Sequence, residues 1–290
     1  MYASSFEYHR PKNLKEAIQL LKKKKDVKLL AGGHSLIPAM KLRVSSPGAV
    51  IDIGRLKGLD AIKVGKSAIK IGALATHAAI AGSKEIGKSC AVLAEAAGTI
   101  GDIQVRNRGT LGGSLAHADP AADYPTVILA LDAELVAEGP RGRRKIEAGK
   151  FFVDLFTTAL KDSEILTEVS VPVMKKGQGG AYVKHKHPAS SYAVVGVAAI
   201  VTLKNEEVSR VRVVVGGATP NPVVARGVSE DLVGEKPTAK AISDAANRVA
   251  ESIEFPLGDL YASGEYRTHL ASVLTKRALT EAVKRAKKQK

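Results

Sequence analysis

Two short loops built around paired glycines place the strongest constraint on what this chain can fold into. They are Ala31–Ser35 and Thr110–Ser114, and each joins a Gly-Gly pair to a small hydroxyl residue. Glycine lets the main chain turn with φ > 0 and lets another group come close to the backbone. Successive N–H groups in such a loop form a concavity that suits a diphosphate. Two such loops predict a backbone surface that holds a large anionic ligand.

The first loop does not carry either of the common phosphate-binding motifs. It lacks the G-x-G-x-x-G pattern of dinucleotide-binding domains. It also lacks a Walker A lysine, because Gly33-His34-Ser35 stands where that motif has Gly-Lys-Ser/Thr. The alternative for this loop alone is an ordinary turn from a strand to a helix that needs glycine.

Composition limits the class of protein. A length of 290 residues predicts one or two domains, and 45% hydrophobic residues are enough for a core. The one cysteine, Cys90, excludes an internal disulfide framework and an iron–sulfur cluster held by this chain alone. No apolar run reaches the ~18 residues of a membrane span, and the first residues lack a signal-peptide pattern. We expect a cytoplasmic chain with no membrane span.

The net charge of +15 raises the possibility of nucleic-acid binding. The basic residues are scattered, however, with runs only at Lys22–Lys25 and in the tail Lys284–Lys290. Aromatic residues make up only 4% of the chain and do not alternate with the charges, which argues against a base-stacking surface. We expect a lysine-rich solvated surface, or one that docks on an acidic partner, and no nucleic acid.

Capping signals predict helices in the first half of the chain. Asn13 stands three residues before Glu16, which is the spacing of a capping box, and an apolar helical face follows. Thr76 precedes an alanine-rich stretch that it would cap. Asp123–Leu131 is also typical of a helix.

A break rich in glycine and lysine, Lys175–Gly180, separates an α/β pattern from a different one. Beyond it, β-branched runs predict strands over 181–186, 193–203 and 208–215, followed by helices over 238–251 and from about 265 to the end. We predict an α+β fold with a three-stranded antiparallel sheet in its C-terminal part. The predicted domains are 1–176, with lobes at about 1–57 and 58–176, and 177–290.

The stretch from Thr99 to Asp123 carries most of the polar chemistry. Four glycines fall between Gly101 and Gly113, a density that disfavours regular structure. Thr110, Ser114, Asp119 and Asp123 surround them with hydroxyls and carboxylates. This chemistry suits phosphate, ribose and sugar-alcohol hydroxyls.

Four segments together resemble a known family. They are 29–38, 99–123, Ala181–Lys184 with Ser191–Ala193, and Tyr266–Leu270 with Arg277–Leu279. In this order they resemble the FAD-binding medium subunit of the molybdenum hydroxylases, a family that includes xanthine dehydrogenase, carbon monoxide dehydrogenase and aldehyde oxidoreductase. The resemblance implies a two-lobed FAD-binding domain of the vanillyl-alcohol-oxidase/PCMH-like type. A carbon monoxide dehydrogenase flavoprotein-like C-terminal domain would follow, with FAD extended between the parts.

The resemblance also implies which residues contact FAD. The two loops would hold the pyrophosphate, Asp123 would hydrogen-bond the cofactor, and Ile100 and Tyr192 would lie beside the isoalloxazine. From sequence alone, Asp123 is equally a helix cap, Ile100 a core residue and Tyr192 an ordinary strand aromatic. The cofactor-binding residues predicted in this way are Leu29, Leu30, Ala31, Gly32, Gly33, His34, Ser35, Leu36, Ile100, Thr110, Leu111, Gly112, Gly113, Ser114, Asp119, Asp123, Leu166, Lys184 and Tyr192.

The implied function is electron transfer within an oxidoreductase. In the family, a large molybdenum subunit oxidises the substrate, a small 2Fe–2S subunit passes electrons to the flavin, and an external acceptor takes them; the complex is a dimer of heterotrimers. We predict no catalytic residue and no metal ligand in this chain. The alternatives are a stand-alone FAD oxidoreductase, a non-catalytic nucleotide-binding module and a basic nucleic-acid binder.

Overall fold

The chain begins with a small parallel sheet. A computed structural model describes residues 1–289. Asn13 caps the first helix by accepting a hydrogen bond from the Glu16 amide at 2.9 Å, as predicted, and Glu16 accepts one from the Lys12 amide at 2.8 Å. The three strands are all parallel, in the order β1-β3-β2. The elements of this first group are β1 (Glu7–His9), α1 (Leu14–Lys23), β2 (Val27–Leu30), α2 (Leu36–Lys41) and β3 (Ala49–Asp52).

A second group of elements builds a five-stranded antiparallel sheet covered by helices. Its elements are β4 (Ile62–Val64), β5 (Ala68–Gly72), α3 (His77–Gly82), α4 (Lys84–Ser89), α5 (Ala91–Thr99), α6 (Ile103–Arg108), α7 (Leu111–His117), α8 (Asp123–Ala130), β6 (Glu134–Gly139), β7 (Gly142–Glu147), β8 (Phe152–Asp154), β9 (Thr157–Thr158) and β10 (Ile165–Pro172). The sheet order is β4-β5-β10-β6-β7, and β8 pairs with β9 separately. The predicted cap Thr76 accepts from the Ala79 amide at 3.2 Å.

The expectation that the glycine-rich stretch lacks regular structure is wrong, because α6 and α7 occupy most of it. Each of these helices has its own side-chain cap. Asp102 accepts from the Val105 amide at 2.7 Å, and Thr110 accepts from the Gly113 amide at 3.1 Å. A good cap offsets part of the cost of glycine in a short helix.

The C-terminal elements form a four-stranded antiparallel sheet with helices. They are β11 (Gln178–Lys186), β12 (Ala193–Lys204), β13 (Glu207–Gly216), β14 (Val223–Val224), α9 (Arg226–Leu232), α10 (Ala239–Asn247) and α11 (Gly264–Lys288). The α+β fold is confirmed, and the three predicted strands are present. The predicted count of three omits β14, whose two residues are too few to show a periodic pattern.

The hydrophobic cores tie these groups together. Helices α5 and α8 pack on one face of the four-stranded sheet, and α9 and α11 pack on the other. Tyr182, Ala198 and Val214 of that sheet join the core of the second group. The small parallel sheet shares its core with Leu74 and Ile165 of the second group. Among residues 1–289, no helix is both long and apolar enough to cross a membrane.

Candidate functional site

The two glycine loops lie against each other. The first connects β2 to α2, and the second is the cap and first turn of α7. A Cβ atom at Gly32 would overlap the carbonyl oxygen of Arg108, so only glycine permits this approach. A Cβ atom at Gly113 would lie 3.8 Å from the Ala31 Cβ. The fold thus brings together two segments that are far apart in the sequence.

The first loop presents free hydrogen-bond donors. Within residues 1–289, no protein atom accepts a hydrogen bond from the backbone amides of Gly32, Gly33, His34 and Ser35. These residues are half-buried, apart from the exposed His34. Backbone donors in such a position require a partner from solvent or from a ligand. A run of four free amides meets the requirement of an anionic group such as a diphosphate.

The second loop, in contrast, presents no free backbone donors of this kind at Leu111, Gly112 and Gly113. The Leu111 amide donates to the Ala75 carbonyl at 3.0 Å, and the Gly112 amide donates to the Ala73 carbonyl at 2.8 Å. The Gly113 amide is taken by the Thr110 side chain, as described above. These bonds fasten α7 to the chain that leaves β5. What this loop offers to a ligand is the half-buried hydroxyl of Ser114 and the small surface of Gly113.

A buried ion pair joins α8 to β11. Lys184 Nζ on β11 is 2.8 Å from Asp123 Oδ1 on α8, and the Tyr182 hydroxyl donates to Asp123 at 2.7 Å. Burial raises the pKa of Asp123, while Lys184 and the Tyr182 hydrogen bond act in the opposite direction. Lys184 Nζ also donates to the Ser191 carbonyl at 2.7 Å. Asp123 is the first residue of α8, but its carboxylate is bound to β11 rather than used as a cap.

Tyr192 closes the same region from the C-terminal sheet. Its side chain is 39% exposed, which leaves part of the ring accessible. Burial raises the pKa of the Tyr192 phenol, the charge of Asp119 acts in the same sense, and the nearby Ser35 side chain opposes them. The phenol of Tyr192 therefore lies near Ser35 of the first glycine loop. The Asp119 carboxylate is oriented by the Ala121 amide, which donates to it at 2.9 Å.

Comparison with known protein families identifies the family to which the chain belongs. Residues 4–174 match the FAD binding domain in molybdopterin dehydrogenase, and residues 180–282 match the CO dehydrogenase flavoprotein C-terminal domain. The chain belongs to this family. It is an FAD-binding medium subunit of the molybdenum hydroxylase type, and as such a flavoprotein oxidoreductase subunit.

Relatives of this flavoprotein subunit match it from end to end. It is 38% identical over 283 residues to the carbon monoxide dehydrogenase medium chain of Hydrogenophaga pseudoflava, covering 97% of this chain and 98% of that one. It is 36% identical to the glyceraldehyde dehydrogenase medium chain of Sulfolobus acidocaldarius, covering 97% and 99%.

Solved structures agree over the same length. The structure of the Hydrogenophaga pseudoflava carbon monoxide dehydrogenase superposes with a TM-score of 0.95 at 39% identity, covering 98% of this chain and 99% of the other. Quinoline 2-oxidoreductase from Pseudomonas putida 86 gives 0.93 at 28% identity, covering 99% of both chains. The fold of the flavoprotein subunit is therefore shared by enzymes that are named after different substrates.

The other predicted residues of the flavoprotein subunit fall into two groups. Leu29, Leu30, Leu36 and Ile100 are half-buried near the loops. The Ile100 carbonyl accepts from Arg106 at 2.9 Å, which holds the turn after α5. In contrast, the side chains of Leu111 and Leu166 belong to the hydrophobic core. Any contact of these two residues with FAD is left to their backbone atoms.

His77 is the main residue near the loops that the sequence did not single out. Its ring is buried against Gly109 and lies 5.3 Å from the Tyr124 ring. Burial lowers its pKa to about 4, and within the described chain its Nδ1 atom has no hydrogen-bond partner. In the sequence, His77 is a single histidine after the helix cap Thr76, and nothing in that pattern indicates that its ring is buried or its pKa lowered. Tyr182 was not predicted either, although period-2 alternation puts it on the same face of β11 as Lys184 and could have indicated it.

Proposed function

We propose that this chain holds FAD against the first glycine loop and serves as the electron-transfer subunit of a molybdenum hydroxylase complex. It would take electrons from a small 2Fe–2S subunit and deliver them to an external acceptor. A large molybdenum subunit would oxidise the substrate. The observation that carries the proposal is the run of four free amides at Gly32–Ser35, with Tyr192 near Ser35.

Each part of the site has a role in this proposal. The amides of Gly32–Ser35 bind the pyrophosphate, and the hydroxyls of Ser35 and Ser114 add donors at its sides. The exposed part of Tyr192 packs on the isoalloxazine, since aromatic rings favour offset or edge contacts with one another. The Lys184–Asp123 pair fixes the wall between α8 and β11. FAD itself supplies the redox chemistry, and the protein supplies its position and electrostatic surroundings.

In this proposal the electrons come from another chain. Cys90, the one cysteine of the chain, is fully buried, and burial raises the pKa of its thiol to about 12. An iron–sulfur cluster needs several thiolates, so this chain does not hold one alone. We propose the partners to be the large and small subunits, assembled as a dimer of heterotrimers in the cytoplasm. A single reduced cysteine is compatible with that compartment.

Purification from the native host tests the proposal. A tagged chain should carry the visible absorption of oxidised flavin and should co-purify with subunits that contain molybdenum and 2Fe–2S clusters. Chain stripped of cofactor should regain colour with FAD and much less with FMN, which lacks the diphosphate. A colourless chain that FAD does not restore would overturn the FAD site. A yellow chain that turns over a small substrate with no partner would instead support a stand-alone oxidoreductase.

A further inference from the structure

Helix α11 buries an arginine close to the proposed flavin site. Arg267, near the start of this helix, is only 6% exposed. An arginine is rarely buried to this degree unless its donors are all engaged. It lies within Tyr266–Leu270, one of the segments that resemble the family. Its side chain hydrogen-bonds to none of the predicted cofactor-binding residues.

The guanidinium of Arg267 joins three separate pieces of chain. One nitrogen, Nη1, donates to the carbonyls of Val194 and Gly217, each at 2.7 Å. The other, Nη2, donates to the Asp259 carboxylate at 2.6 Å. Val194 is the second residue of β12, Gly217 follows β13, and Asp259 lies in the loop before α11. One side chain thus fixes the relative position of two strand ends.

Both strand ends lead directly to residues of the site. Tyr192 is two residues before Val194, and the intervening Ala193 amide donates to the Ala121 carbonyl at 3.0 Å. On the other side, the Gly217 amide donates to the Pro120 carbonyl at 2.9 Å. Pro120 and Ala121 lie between Asp119 and Asp123. Arg267 thus binds the carbonyls of Val194 and Gly217, while the amides of Ala193 and Gly217 hold the same two strand ends against the Asp119–Asp123 segment.

We infer that Arg267 is a positioning residue for the flavin site: it sets the placement of Tyr192 relative to the Asp119–Asp123 segment. This inference rests on the proposed FAD site. Lysine cannot replace arginine here, because a single ammonium does not reproduce the planar fork that reaches two carbonyls and a carboxylate. A small misplacement of groups that orient a cofactor is enough to weaken its binding and change its surroundings.

The same helix provides a matched control. Arg285 also ties α11 to other elements: Nη1 donates to the Gly180 carbonyl at 2.8 Å, and the guanidinium pairs with Glu95 at 2.7 Å. It stands 18 residues after Arg267, which is roughly 27 Å along the helix axis. Arg285→Lys therefore removes a similar set of bonds far from Tyr192.

The test compares Arg267→Lys with Arg285→Lys in the full chain loaded with FAD. Both variants should lower the melting temperature. Arg267→Lys alone should weaken FAD binding by about tenfold or more and change the visible circular dichroism of the flavin. Arg285→Lys should keep the wild-type affinity within about twofold, a change that corresponds to under half a kcal/mol. Equal affinities and equal flavin spectra in the two variants would overturn the positioning role.

A second variant covers the case in which Arg267→Lys does not fold. Asp259→Asn loosens one end of the arginine and leaves its bonds to Val194 and Gly217 in place. It should give the same spectral change at smaller amplitude, and a wild-type flavin spectrum in this variant would count against the inference. If the wild type and Arg285→Lys also fail to retain FAD, the proposed site itself is wrong. If they retain it and Arg267→Lys matches them, only the positioning role is wrong.

Discussion

The Nζ atom of Lys184 lies 2.8 Å from Oδ1 of Asp123, and both side chains are only 4% exposed. The two residues come from different elements, β11 and α8, so the pair fastens the C-terminal sheet to the helical layer. A closed ion pair of this kind gains little over apolar packing, but removing one partner leaves a buried charge without compensation. Replacing one partner alone should therefore destabilise the fold more than replacing both partners together.

Lys184→Met should lower the free energy of unfolding by about 3–5 kcal/mol, since it strands the Asp123 carboxylate. Lys184→Met combined with Asp123→Leu should recover a large part of that loss. Urea denaturation of the FAD-free chain measures both. Lys240→Met is the control, because its partner Asp244 is 58% exposed and Lys240 itself 88%. A loss in Lys184→Met no larger than in the control would contradict a tightly coupled pair.

The two glycines of the second loop should respond differently to substitution. A Cβ atom at Gly112 would lie 2.5 Å from the Ala73 Cβ, so Gly112→Ala should cost about 1–3 kcal/mol of stability through overpacking. At Gly113 a Cβ atom would lie 2.8 Å from Thr110 Oγ1, on the side of Ala31. Gly113→Val should reduce FAD occupancy more than it reduces helix content. Bound flavin per chain and far-ultraviolet circular dichroism separate the two effects, and full occupancy in Gly113→Val would remove this loop from the site.

His77 should make the fold sensitive to acid. Its pKa falls from 6.5 to about 4 on folding, so between these values the unfolded chain binds the extra proton. The contribution of His77 to the free energy of unfolding is therefore present in full above pH 6.5. Up to about 3 kcal/mol of it is lost as the pH falls towards 4. His77→Leu should flatten this part of the stability profile of the FAD-free chain. His269→Leu, at an exposed position, is the control. A His77→Leu profile identical to wild type would exclude this cause.

Tyr192 should affect the flavin more than the fold. Tyr192→Ala removes a ring that is 39% exposed, and the isoalloxazine would lose its aromatic neighbour. We expect a changed flavin spectrum or reduction rate, with a fall in melting temperature no larger than that of a similarly exposed tyrosine. Tyr192→Phe keeps the ring and loses only the hydroxyl. Tyr266→Ala, at 43% exposure on α11, is the control. Wild-type spectra and rates in Tyr192→Ala would return it to an ordinary surface role.

Local signals predicted local structure well. Asn13 and Thr76 cap the helices that follow them, because a cap depends only on residues three positions away. The glycine-rich stretch was predicted wrongly for the same kind of reason. Its glycine count argued against helix, while the caps Asp102 and Thr110 decided the outcome.

Contacts between residues that are far apart in the sequence could not be predicted from local sequence patterns. Resemblance to the family named both Asp123 and Lys184 as cofactor contacts, but their ion pair spans 61 positions and depends on how β11 packs on α8. The amides of the second loop were expected to be free. Those of Leu111 and Gly112 instead donate to Ala75 and Ala73, whose carbonyls come to this place only because the chain after β5 runs beside α7. No pattern within Thr110–Ser114 carries that information.

With FAD held at the free amides of Gly32–Ser35, as proposed, the lifetime of the chain would depend on the supply of flavin. A ligand that binds only the folded state stabilises it by RT ln(1 + [L]/Kd), which is about 2.7 kcal/mol at a hundredfold excess over Kd. Differences of this size change the abundance of a protein in cells several-fold, because unfolded molecules are removed by proteases. Copies of the subunit made while flavin is scarce would be degraded first, so that quality control would favour loaded copies for assembly.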